Sequence, residues 1–74
     1  MREAGKITEI EKDIVLALAK YDMNASLVSE KIYLAPSTIQ YHIKQIKRYT
    51  GIDPLSFYGL VKLLQNIRKP EYIA

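Results

Sequence analysis

Between Leu34 and Gly51 the chain reads LAPSTIQYHIKQIKRYTG, a stretch that holds His42, Lys44, Lys47 and Arg48 and no acid. Hydroxyls (Ser37, Thr38, Tyr41), carboxamides (Gln40, Gln45) and cations are groups that satisfy hydrogen-bonding edges and anionic oxygens. They are not a bond-breaking set. Nucleophilic or acid–base catalysis needs a nucleophile with a base in reach and a third group to orient it, and no such pairing can be assembled from these residues. Cysteine is absent and His42 is the one histidine, which removes most zinc sites. No glycine-rich phosphate loop exists. Glu9, Glu11 and Asp13 cluster at the start of a helix, where carboxylates complement its dipole. With no second histidine and no obvious carboxylate partner, His42 is read as a boundary packing residue. The chain is therefore expected to bind rather than catalyse, with no enzyme activity, no cofactor and no metal.

The placement of charge says what it would bind. The net charge is +3 over 74 residues. Residues 1–30 carry an acidic excess, whereas residues 31–52 contain Lys31, Lys44, Lys47 and Arg48 and no acid. A concentrated basic segment in a mildly basic chain points to a polyanion. An apolar fraction of 49% is that of a folded domain, and the length is that of one small domain, 1–74. A chain this short without disulfides often depends on a partner chain or a larger parent protein. The N-terminus MREAGK lacks the apolar run of a signal peptide, and no apolar stretch approaches the roughly 20 residues of a membrane span. A soluble, cytoplasmic protein with no membrane partner is expected.

Four helices and no strands are needed to position that segment. Thr8-Glu9-Ile10-Glu11 has the form of a capping box, and Ile10, Ile14, Ala17, Leu18 and Tyr21 follow at helical spacing, giving a helix from Glu9 to Lys20. Asn24 suits the N-cap of a short second helix, Ala25 to Ile32. Tyr33-Leu34-Ala35 connects it to a third, opened by Pro36 at its first position and stopped by Gly51. Asp53-Pro54 repeats the start signal, so a fourth helix is expected over about 54–68. The fold class expected is all-α, a four-helix arrangement with a helix-turn-helix at about 25–50.

Stepping about 100° per residue along the third helix puts Ile43, Ile46 and Thr50 within about 40° of Ile39. Ser37, Tyr41, Lys44 and Arg48 gather on the opposite side, flanked by Gln40 and Gln45. One face is apolar and the other polar and positive. Two helices joined by three residues, the second carrying such a face, is the helix-turn-helix pattern that reads double-stranded DNA.

The segment MNASLVSEKIYLAPSTIQYHIKQIKRYTGID resembles the C-terminal helix-turn-helix of the PucR and sugar-diacid regulator group, itself similar to the DNA-binding region of Fis. The residues that carry the likeness are Asn24, Ser29, Leu34, Thr38, Ile39, Tyr41, His42, Ile43, Ile46, Thr50 and Gly51. ITEIEKDIV and TIQYHIKQI are similar to the LuxR-type module, a bacterial regulator type, and the likeness spans Ile7 to Leu64. Three positions depart from the pattern: Tyr33 stands where many such turns have glycine, Ser29 where alanine is usual, and Ala35 where a serine or histidine caps the recognition helix.

On this reading the protein is a sequence-specific DNA-binding regulator of transcription with helix 36–50 in the major groove. Ser37, Gln40, Tyr41 and Lys44 would face base edges, Gln40 suiting adenine and Lys44 guanine. Lys47 and Arg48 would touch phosphates, as would Asn24 and Ser26 at the start of the second helix. The resemblance implies a phosphate contact for Thr38 as well. Leu60, Leu63, Leu64 and Ile67, part of a wide apolar arc on the fourth helix, are expected to form a homodimer interface, as LuxR-type modules dimerise through their last helix. A sensor domain in a longer parent protein is the other cover for that arc. The alternative function is a small helical interaction or dimerisation module that does not bind DNA.

Overall fold

The computed structural model describes residues 6–68. They form four helices, α1 (Glu9–Lys20), α2 (Ala25–Lys31), α3 (Pro36–Thr50) and α4 (Phe57–Arg68), and no strand. None of these helices is long and apolar enough to cross a membrane.

Helix α1 is the hub. It packs against each of the other three, α2 packs on α3, and α4 meets α1 alone among the helices. Because α1 is covered on more than one side, its buried set is wider than one stripe: Ile14, Val15 and Leu18 are all fully buried. Val28 joins them from α2, Ile39, Ile43 and Ile46 from α3, and Leu60 and Leu63 from α4. Each fully buried side chain of this kind contributes roughly 1.5–3 kcal/mol.

The helix ends follow the local chemistry. Thr8 and Glu11 form a complete capping box: Thr8 Oγ1 accepts from the Glu11 amide at 3.3 Å, and Glu11 Oε1 accepts from the Thr8 amide at 3.2 Å. Asn24 Oδ1 caps α2 by accepting from the Leu27 amide at 3.1 Å. Ala35 offers α3 no side-chain cap, and Pro36 sets the first turn instead.

Helices α1 and α2 close in the same way. The Met23 amide donates back to the Leu18 carbonyl, and the Leu34 amide to the Ser29 carbonyl. Both bonds are of the Schellman type, which needs a left-handed residue just beyond the helix. Asp22 (φ 57°), followed by Met23 (φ 61°), and Tyr33 (φ 57°) fill those places without glycine. Helix α3 ends on Gly51 at φ 74°.

Two expectations are corrected here. The second helix ends at Lys31, with Ile32 as its cap. The fourth begins at Phe57 rather than Pro54. Asp53 Oδ1 accepts from the Leu55 amide at 2.9 Å, forming a turn in which Pro54 is buried. The cap is Ser56, whose Oγ accepts from the Gly59 amide at 2.9 Å and donates to the Asp53 carbonyl at 3.2 Å.

Candidate nucleic-acid interface

Ile39 and Ile46 are fully buried in the core, and Ile43 nearly so. This seats α3 with its other side outward. Ser37, Gln40, Tyr41, Lys44, Lys47 and Arg48 are all exposed, and Gln45 is half-buried. Tyr41 shows 57% of its surface to solvent. Lys44 and Lys47 have no ion-pair partner among the described residues. The Arg48 guanidinium lies 5.8 Å from the centre of the Tyr49 ring, a cation–π contact. Thr38 is half-buried on the edge of the first turn.

Asn24 and Ser26 are exposed at the start of α2, with part of their polar capacity already used. The Asn24 carboxamide oxygen is the α2 cap, and the Ser26 carbonyl accepts from Ser29 Oγ at 3.0 Å. The Asn24 NH2 group and the Ser26 hydroxyl remain to meet a ligand. Ser29 itself is buried, and its bond to the Ser26 carbonyl satisfies its hydroxyl.

Sequence reasoning missed one relationship. His42 has a carboxylate partner: its Nδ1 lies 2.7 Å from Glu11 Oε2. Glu11 is fully buried, so this carboxylate does more than offset a helix dipole. One of its oxygens caps α1 and the other holds α3. No buried side-chain nitrogen or oxygen among the described residues lacks a partner. The signal was present in α1, where Glu11, Ile14 and Leu18 share one face. A glutamate on an apolar stripe calls for a polar partner. The His42 ring also stands against the neighbouring Tyr41 ring, edge to face, with centroids 5.1 Å apart and planes at 74°.

The expected interface on α4 divides in two. Leu60 and Leu63 are 5% and 1% exposed and belong to the chain's own core, so they are not available to a second copy. Leu64 and Ile67 are half-buried and pack on that core. The apolar surface near α4 lies instead at its start, where Phe57 and Tyr58 are 73% and 72% exposed beside the partly exposed Leu55.

No protein-family model matches the chain, and neither does any curated protein or solved structure.

Proposed function

We propose that the chain binds double-stranded DNA sequence-specifically and regulates transcription. In this reading α2, the turn at Tyr33 and α3 act as a helix-turn-helix, with α3 in the major groove. The observation that carries it is the division of α3. Its three isoleucines are buried, and its opposite face presents exposed hydroxyl, amide and cationic groups without one acid.

Ser37, Gln40, Tyr41 and Lys44 meet base edges, because the N-terminal part of a recognition helix lies deepest in the groove. Lys47 and Arg48 meet phosphates nearer the exit, with Thr38, Asn24 and Ser26 adding neutral contacts. The reading requires no catalysis, cofactor or metal. The proposal extends to kinship with PucR-type or LuxR-type modules. It is supported by Asn24 as a cap, Tyr33 in the left-handed place usually given to glycine, and Gly51 as the stop of α3.

The test is duplex and heparin binding by the wild type against a Lys44→Ala/Lys47→Ala/Arg48→Ala variant. Earlier elution and weaker duplex binding by the variant are expected. Equal behaviour of the two would favour the interaction module.

A second reading, compatible with the first, is self-association near the start of α4. The observation that favours it is the exposure of Leu55, Phe57 and Tyr58, since large apolar patches on a surface mark interaction sites.

A further inference from the structure

We infer that the Glu11–His42 hydrogen bond is the device that fixes the rotation of α3, making His42 the positioning residue for the reading face. The consequence for recognition rests on the DNA reading above; the consequence for helix orientation does not.

Helix α3 is held mainly by Ile39, Ile43 and Ile46. Apolar packing is strong but non-directional, so it sets the rotation of the helix about its axis less sharply than a hydrogen bond does. Side-chain tips lie about 5–6 Å from a helix axis. A rotation of about 20° therefore moves them by about 2 Å. A hydrogen bond tolerates about 0.5 Å. A directional restraint therefore sharpens the placement that the isoleucines give the reading face.

Two side-chain bonds near the end of α3 are local, from Thr50 Oγ1 to the Ile46 carbonyl and from the Ile52 amide to Thr50 Oγ1. The Glu11–His42 bond spans 31 positions and joins α3 to the hub helix. Its acceptor is itself fixed, because the other oxygen of the Glu11 carboxylate is tied to the Thr8 amide. His42 lies within one turn of Gln40, Tyr41 and Lys44, and its ring abuts Tyr41 directly. Thr8, Glu11, His42 and Tyr41 thus form one line from the start of α1 to the middle of the exposed face. A buried polar pair contributes little net stability but can specify one arrangement among several, which is the role argued for this pair.

A double variant separates positioning from stability. Replacing both partners by apolar residues of similar size avoids an unpaired buried charge, while the exposed Thr8 amide gives up its Glu11 acceptor to solvent, the cost of one helix cap. Glu11→Met/His42→Leu is therefore expected to stay folded by circular dichroism, and His42→Asn to keep an N–H donor near Nδ1. Residual dipolar couplings of the α1 and α3 amides are measured for the wild type and both variants. A reorientation of α3 relative to α1 is expected in the double variant, with wild-type orientation recovered in His42→Asn. Identical couplings in all three would overturn the inference.

The same proteins are titrated with a selected duplex and its scrambled counterpart. Roughly tenfold loss of the preference between them is expected in the double variant, at unchanged affinity for the scrambled duplex. A wild-type preference that the double variant retains in full would overturn the consequence for recognition. If no protein binds either duplex while α3 reorients as expected, the DNA reading fails and the positioning role of His42 stands.

Discussion

Gly59 lies so close to the carbonyl of Asp53 that no side chain fits between them. A Cβ built on Gly59 would overlap that oxygen and stand 2.8 Å from Ser56 Oγ. The close approach lets the turn over Pro54 fold back against the first turn of α4.

A sign follows for Gly59→Ala. Helix propensity alone favours alanine by about 1 kcal/mol. The overlap is with a backbone atom, which cannot swing away, and overpacking of that kind costs about 1–3 kcal/mol. The steric effect wins. Gly59→Ala is expected to lower the urea midpoint, whereas Asn66→Ala, exposed on the same helix, leaves it near the wild-type value or higher. A gain in stability from Gly59→Ala would contradict the close approach.

Tyr33 gives the opposite sign. It is left-handed at φ 57° and 91% exposed. A left-handed backbone costs an L-residue about 1–2 kcal/mol, and so exposed a ring loses little when removed. Glycine repays some of the relief through the entropy of the unfolded chain, by about 0.4–1 kcal/mol. Tyr33→Gly should therefore raise stability by about 0.5–1 kcal/mol, and Tyr33→Asn should gain as well, since asparagine tolerates this conformation. Denaturant titrations of both variants check this. A clear loss in both would mean that the ring makes stabilising contacts.

Of these two positions, Tyr33 was legible in the sequence and the close approach at Gly59 was not. Tyr33 could be placed because many turns of the kind this segment resembles have glycine, the residue freest to be left-handed, at that position. The ends of α1 and α3 were equally readable, from Thr8-x-x-Glu11 at one and Pro36 and Gly51 at the other. Asp53-Pro54 misled because it is a start signal for a turn as much as for a helix, and Ser56 made the better cap. Leu60 and Leu63 misled because periodicity says which residues share a face but not how far round the helix a neighbour reaches. The partner of His42 was hidden for a related reason. A spacing of 31 positions carries no distance until α1 and α3 are packed together.

Self-association, if it uses the start of α4, should respond to Phe57 and not to the core leucines. Phe57→Ser removes an exposed ring and is expected to lower the sedimentation mass while leaving the circular dichroism intact. Leu63→Asp buries a carboxylate in the core and is expected to unfold the chain, because an unpaired buried charge is far costlier than any lost interface contact. A wild type that stays monomeric at high concentration would remove this reading.

DNA binding should weaken steeply with salt. About four phosphate contacts per chain give a slope of log affinity against log salt of about −3 to −4, doubling for a dimer. Measuring affinity for one duplex over a range of salt concentrations gives the slope directly. A value near zero would exclude DNA as the partner.

The two ends of α3 should fail differently. Gln40 and Lys44 are exposed on the part of the helix assigned to base edges, and Arg48 lies toward its C-terminal end. Gln40→Ala and Lys44→Ala should each cost about 1–3 kcal/mol on the preferred site and relax the preference there. Arg48→Ala removes a charge assigned to the backbone, so it should weaken all duplexes about equally and reduce the salt slope by about one unit. None of the three lies on the buried Ile39-Ile43-Ile46 stripe, so Tm should barely move in any of them. Competition titrations of each variant against matched and scrambled duplexes at two salt concentrations separate the two kinds of loss. If Arg48→Ala altered the preference while Gln40→Ala left it intact, α3 would lie in the groove with its C-terminal half deepest, the reverse of the orientation proposed here.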